Sequence, residues 1–173
     1  RYDVEIGILD DPENQYQGVY SVDLGSNNLM MIGSSQTGKT NVLQNIIRSL
    51  TTKYTPEEVT LYIIDFASMV LKNFEKLNHV GGVVCPSEDE KLKNLFKLLH
   101  GEIDARKEKL MSIGVSSFAA YKEAGETELP LIVLMIDNLT ALKELYFQDD
   151  DELLTLCREG LSVGISVVIA NAQ

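Results

Sequence analysis

Short apolar runs bounded by polar turns alternate along this chain with stretches whose apolar residues recur every three or four positions. The first pattern predicts strands and the second amphipathic helices. Val4 to Leu9 and Val19 to Leu24 read as strands, and Asp10-Asp11-Pro12-Glu13-Asn14 between them is turn chemistry, so the chain should open with a β-hairpin. Asn28 to Ile32 is a short apolar run of the kind that forms a buried strand, and Val42, Leu43, Ile46, Ile47 and Leu50 follow at helical spacing. Thr55-Pro56-Glu57-Glu58 resembles a capped turn with Pro at the first helical position, and Val59 to Asp65 is strongly β-prone. Ser87-Glu88-Asp89-Glu90 reads as a capping box that opens a long helix. Its apolar stripe is Leu92, Leu95, Phe96, Leu99, Ile103 and Leu110, and Gly114 should end it. Ser117 to Ala124 reads as a further short helix closed by Gly125. Leu131 to Ile136 is apolar throughout, the mark of a strand covered on both faces. A helix over Asp149 to Arg158 and a buried strand over Ile165 to Ala170 complete the pattern. Strands alternating with helices predict one α/β domain over residues 1–173, with a mainly parallel sheet sandwiched by helices.

Composition narrows the function classes. The 26 acidic residues outnumber the 15 basic ones, for a net charge of −11. No Lys/Arg-rich run interrupts that balance, so nucleic acid is not an expected partner. Cys85 and Cys157 lack metal-type spacing and sit in apolar sequence, which suits reduced thiols in a cytosolic setting. The longest apolar runs are far too short to span a bilayer, and no signal peptide is visible. Because the first residue is Arg1, the chain is expected to be a fragment of a longer protein.

Candidate chemistry begins at Gly33-Ser34-Ser35-Gln36-Thr37-Gly38-Lys39-Thr40, which fits Gly, four of any residue, Gly, Lys, Ser/Thr. A loop that grips a triphosphate must turn backbone N–H groups inward, and side chains would block that approach. Gly33 and Gly38 lack a Cβ and tolerate unusual dihedrals. Lys39 brings a mobile positive charge to the β- and γ-phosphates, and the Thr40 hydroxyl can ligate Mg²⁺. The helix that follows, through Asn41, points its positive end at the phosphates. The apolar run before the motif and the helical spacing after it supply the strand–loop–helix order that the chemistry needs.

The run Leu131 to Ile136 ends in Asp137, as a Walker B strand does, with the Asp at its C-terminal end holding the metal. Motor ATPases of this general class place Glu directly after that Asp, as the base that activates water. Here the residue is Asn138. A carboxamide can orient a water but cannot take its proton. The chain is thus equipped to bind ATP·Mg²⁺ and poorly equipped to split it. The alternative is that Asn138 caps a helix beginning near Thr140 while a carboxylate elsewhere supplies the base, with Asp65, at the end of a neighbouring strand, as the candidate.

The ordered segments resemble the FtsK/SpoIIIE family of P-loop ATPases. Those that carry the resemblance are Gly33 to Thr40, Leu61 to Phe66, Arg106 to Tyr121 with its Gly114-Val115-Ser116-Ser117-Phe118 centre, Leu131 to Asn138, and Arg158 to Ile165. Within the family the likeness is greatest to the C-terminal modules of the EssC/EccC ATPases of type VII secretion. The resemblance implies a RecA-like core in which Ile165 to Ala170 runs between the two motif strands. It implies ATP and Mg²⁺ as cofactors, with Thr40 and Asp137 on the metal side. A polar sensor near the end of the strand after Walker B is matched only roughly by Asn171 and Gln173. The resemblance further implies a membrane-anchored bacterial parent with this domain in the cytoplasm and not itself touching the membrane. Its partners would be other ATPase modules of the same chain and exported small helical proteins.

Two other readings compete. An active DNA-pumping motor is opposed by the acidic balance and by Asn138, and strong salt-dependent DNA binding would revive it. A small-molecule kinase needs arginines that hold donor and acceptor phosphates together. The four arginines, Arg1, Arg48, Arg106 and Arg158, form no lid-like cluster in sequence. Arg158 reads either as an arginine finger for a neighbouring module or as a cation at a helix C-terminus. His79 and His100 are isolated and carry no expected catalytic or metal role.

Overall fold

Every residue of the strand Leu131–Asp137 is buried, so it lies inside a sheet with both faces covered, as its unbroken apolar pattern demands. The computed structural model describes residues 1–9, 17–33, 36–146 and 150–172. Its elements are β1 (Asp3–Leu9), β2 (Gln17–Asp23), β3 (Leu29–Gly33), α1 (Gln36–Lys53), β4 (Val59–Asp65), β5 (Val80–Val84), α2 (Asp89–Ile113), α3 (Phe118–Glu123), β6 (Leu131–Asp137), α4 (Leu139–Leu145), α5 (Asp150–Glu159) and β7 (Ile165–Ala172). Short 3-10 turns cover Val70–Phe74 and Leu161–Val163. The turn expected at Asp10 to Asn14 lies outside the described residues.

Strands β3 to β7 form one parallel sheet in the order β3-β7-β6-β4-β5. Strand β7 runs between the strand that feeds the glycine loop and the strand that ends in Asp137, as expected for Ile165 to Ala170. Parallel neighbours need crossover connections, and the helices between strands supply them. The expected apolar stripe of α2 is buried along its length, and Gly114 ends that helix at φ 84°, a left-handed conformation that favours glycine. Ser117 caps α3 by accepting from Ala120 N, and Gly125 follows at φ 83°.

β1 and β2 pair antiparallel as the separate hairpin expected from the sequence, from Asp3↔Asp23 to Leu9↔Gln17. At its base Asp23 accepts from Tyr2 N, Gly25 N and Ser26 Oγ. Partial burial by itself would raise this carboxyl; the three hydrogen bonds and Arg1 outweigh it and hold Asp23 below the usual range. A depressed folded-state value means stability that is present above the ordinary carboxyl pKa of about 3.9 and is lost as pH falls through the lower folded value. Asp23→Asn should therefore flatten the acid limb of the stability curve, as measured by urea unfolding between about pH 4 and pH 2. An unchanged acid limb would deny Asp23 this role.

Three local readings needed the fold. The capping box at Ser87 to Glu90 does not form: Ser87 is left-handed at φ 78°, and Glu88 at the cap position makes no side-chain cap bond. Glu88 Oε1 accepts instead from Cys85 N at 2.8 Å, closing the tight turn that reverses the chain after β5. Strand β5 has no clear signal in the sequence, since Gly81-Gly82 sits inside it and glycine is disfavoured in strands. A Cβ at Gly81 would lie 2.3 Å from the Tyr62 ring, so the glycine admits close packing between neighbouring strands. Gly38 lies in helical backbone within α1, so the freedom it contributes is space for a ligand rather than an unusual dihedral.

Candidate functional site

The glycine loop joins β3 to α1, and α1 starts at Gln36, which puts Gly38, Lys39 and Thr40 in its first turns. Lys39 and Thr40 are buried, although polar side chains seek water, while Asn41 is exposed. Lys39 Nζ donates to the carbonyl of Gly33, which holds the ammonium over the loop. Among the described residues, a Cβ built on Gly33 would meet only that Nζ, at 4.0 Å. Ser34 and Ser35 lie outside the described residues, and of Gln36 and Thr37 only the backbone is described.

From the other side comes β6. Its last residue, Asp137, is fully buried, and Asp137 Oδ2 accepts from Thr40 Oγ1 at 2.9 Å. These two residues are 97 positions apart in the chain, and the parallel sheet brings them together at the C-terminal ends of its strands. One hydroxyl and one carboxylate make a sparse donor set. Among the described residues no group of three or more His, Cys, Asp or Glu could hold a metal ion. Such a set fits Mg²⁺, which keeps several waters and takes its remaining oxygens from a nucleotide.

Asn138 caps α4. Its Oδ1 accepts from Ala141 N at 2.8 Å, so the helix-cap alternative describes its side-chain oxygen. Asp65 pairs in register with Asp137 across β4 and β6. Its carboxylate turns into its own loop, where Oδ1 accepts from Ala67 N at 3.1 Å and Oδ2 from Leu71 N at 3.0 Å. Thr140 was not singled out in the sequence as a site residue. It donates to Asn171 Oδ1 from both its N–H and its hydroxyl. The signal available was positional: a Thr in the first turn after an Asn cap.

The arginines scatter, in keeping with their scatter in sequence. Arg48 lies 5.6 Å from the Phe74 ring centroid, Arg158 is exposed in the last turn of α5, and Arg106 is buried at the N-terminal ends of β6 and β7, away from Asp137. Cys85 and Cys157 are both free thiols, and burial pushes both above the usual range. Among the described residues no helix is long and apolar enough to cross a membrane.

The FtsK/SpoIIIE family model matches residues 5–172. The type VII secretion system protein EssC of Staphylococcus aureus (strain Mu50) is 28% identical over 174 residues, covering 99% of this chain but 12% of its own length. Among solved structures, EssC (ATPases 2 and 3) from Geobacillus thermodenitrificans superposes with a TM-score of 0.86 at 27% identity, covering all of this chain and 33% of that one. Thermomonospora curvata EccC (ATPases 2 and 3), in complex with a signal sequence peptide, gives a TM-score of 0.86 at 28% identity, covering all of this chain and 33% of that one. The chain thus spans about an eighth of the curated relative and a third of either solved chain.

Proposed function

Because this chain belongs to the FtsK/SpoIIIE family, we propose that it is an ATP-binding module of a type VII secretion ATPase, one that binds ATP·Mg²⁺ and hydrolyses it weakly. The observation that carries the binding half is the buried hydrogen bond between Thr40 Oγ1 and Asp137 Oδ2, which joins the end of the phosphate loop to the end of the second motif strand, β6. Residues Gly33 to Asn41 would hold the nucleotide. Backbone amides around Ser35 and Thr37 would cradle the phosphates, and Lys39 would neutralise their charge. Thr40 and Asp137 would hold the cation side. The cation, when bound, supplies charge neutralisation across the β- and γ-phosphates.

The weak-hydrolysis half rests on Asn138. Its oxygen is committed to Ala141 N, and a carboxamide takes no proton at neutral pH. Asp65 is a poor replacement, since each of its carboxylate oxygens is bound to a backbone N–H of its own loop. Loss of a general base removes roughly 10²–10⁴-fold in rate. Phosphate release from the protein with saturating ATP·Mg²⁺ should therefore run well below about 1 s⁻¹. Asn138→Glu should raise that rate where neighbouring modules complete the site. Turnover of the unmodified protein at about 1–10 s⁻¹ would defeat the weak-hydrolysis reading.

On the same proposal, the parent protein is membrane-anchored and bacterial, with this module on the cytoplasmic side. Its partners are sister ATPase modules and small helical proteins that carry an export signal. The peptide-bound relative supports that partner class.

A further inference from the structure

Strand β4 ends at Asp65, beside the Asp137 end of β6, and the next residue reaches both ends of the segment that follows Asp137. Phe66 N donates to the carbonyl of Asp137. The Phe66 ring is buried, and its centroid lies 5.9 Å from that of Tyr146. Asp137 closes β6 and Tyr146 caps the far end of α4, so one residue brackets the whole stretch that holds the motif Asp and the Asn138 cap. The Tyr146 hydroxyl donates to Asp89 at the head of α2, which fixes that far end in turn. Phe66 lies beyond the strand and needs an anchor of its own. Asp65 gives it one. Its carboxylate is fully buried, a costly state unless hydrogen-bonded, and its two oxygens accept from Ala67 N at 3.1 Å and Leu71 N at 3.0 Å. Leu71 is buried too, so the loop after Phe66 is pinned both next to the strand and where it re-enters the core. Asp65 and Asp137 stand in register on neighbouring strands, where two like charges repel. Turning Asp65 into its own loop leaves the shared strand end to Asp137 and Thr40.

We propose that Asp65 is a positioning residue for the cation side of the site, acting through Phe66: its two loop bonds fix Phe66, and Phe66 brackets the segment from Asp137 to Tyr146 and so sets the aim of the Asp137 carboxylate. Asp65 is then neither a ligand nor a base. It spends its charge on backbone N–H groups, and what it supplies to the site is orientation. Small displacements at a binding centre cost large factors. The functional side of this inference rests on the nucleotide-binding reading above; its structural side does not.

Three variants test it: Asp65→Asn, Phe66→Leu, and the two combined. One readout is the ratio of ATP affinities with Mg²⁺ and with EDTA. Asp65→Asn turns an NH₂ toward one of the loop N–H groups and should shrink that ratio roughly tenfold, the scale of a lost hydrogen bond or two, with little change in EDTA. Phe66→Leu keeps the backbone bond to Asp137, loses the ring contact, and should shrink it about threefold. The double variant should lose less than the two factors multiplied, because both act along one route. Arg106→Met is the control for lost stability alone and should leave the ratio where it was. The second readout needs no nucleotide: amide exchange at Phe66 should quicken about tenfold in Asp65→Asn, without a comparable change in α2. An unchanged Mg²⁺ ratio in Asp65→Asn, or fully multiplicative factors in the double variant, overturns the proposal. So does a fall in phosphate release with the ratio intact, the result expected of a substitute base. If Asp65→Asn does not fold, Phe66→Leu decides, and an unchanged ratio there overturns the proposal. If the parent protein bound no ATP, the nucleotide-binding reading would fall, and exchange alone would decide: unaltered exchange at Phe66 in Asp65→Asn overturns the positioning role.

Discussion

Lys39→Ala should abolish measurable ATP binding, lowering affinity by at least about 100-fold in a calorimetric titration with ATP·Mg²⁺. The ammonium is nearly buried and is held over the loop by the Gly33 carbonyl. Hydrogen bonds to charged groups contribute roughly 1.5–3 kcal/mol each, and a lysine that meets two phosphates makes more than one. The backbone amides and the start of α1 remain in the variant, yet they contribute partial charges only. Lys39→Arg should not rescue binding, because a planar guanidinium does not replace a compact ammonium in a closed loop. The melting temperature separates loss of binding from loss of fold. A buried cation carries a desolvation cost, so its removal should leave the apo protein about as stable as before. Affinity that survives in Lys39→Ala would contradict the loop assignment.

The second large effect is expected at the opposite end of the strands. Arg106 is only 2% exposed. Its Nη2 donates to Pro130 O at 2.7 Å and its Nη1 to Val163 O at 3.0 Å, with Gly164 O at 3.4 Å. Nε bonds Glu102 at 3.0 Å, and the guanidinium lies 5.9 Å from the Phe118 ring centroid. Burial pushes the guanidinium below its ordinary value, and the nearby Glu102 opposes that shift. Glu102 is 39% exposed, so the ion pair is the weaker part of the arrangement and the buried carbonyls are the stronger part. Arg106→Met fills much of the volume but leaves those carbonyls without their donor. The cost should be roughly 3–5 kcal/mol, which in a chain of this size lowers Tm by about 10 °C. Thermal melting checks it, and a Tm within about 2 °C of the parent would show that the carbonyls find other partners. ATP affinity should hold in the folded variant, because Arg106 sits at the strand N-termini and the nucleotide loop at their C-termini.

These two experiments probe a division of labour across the sheet. Several segments that mark the family in sequence meet at Arg106. A Cβ on Gly164, which has φ 88°, would lie 2.8 Å from Arg106 Nη1 and 2.6 Å from the Phe118 ring. The Arg106-to-Tyr121 segment and the Gly160-to-Ile165 segment are thus two sides of one packing arrangement. They stitch α2 and α3 to the start of β6 and β7, and the proposed nucleotide chemistry is left to the opposite ends of the same strands.

How much of this was legible depends on the range of the interactions involved. The helix stripe of α2, the buried run of β6 and the glycine loop are local patterns, and local patterns survive in sequence as periodicity and spacing. Strand β5 was hidden because a Gly-Gly pair is a turn signal until Tyr62 is known to lie against it. The capping box at Ser87 failed because the tight turn after β5 puts Ser87 in a left-handed conformation and moves the cap position to Glu88.

From its sequence alone the chain determined its α/β class, its phosphate-loop motif, the Asp–Asn pair at the end of β6 and its family, since each is written in consecutive or regularly spaced residues. Only the tertiary structure decided which acceptors those residues meet: Thr40 on Asp137, Asp65 in its own loop, Asn138 on its helix, and Thr140 on Asn171. Hydrogen-bond partners are chosen by distance in space, and a parallel sheet places side by side residues that the chain keeps far apart.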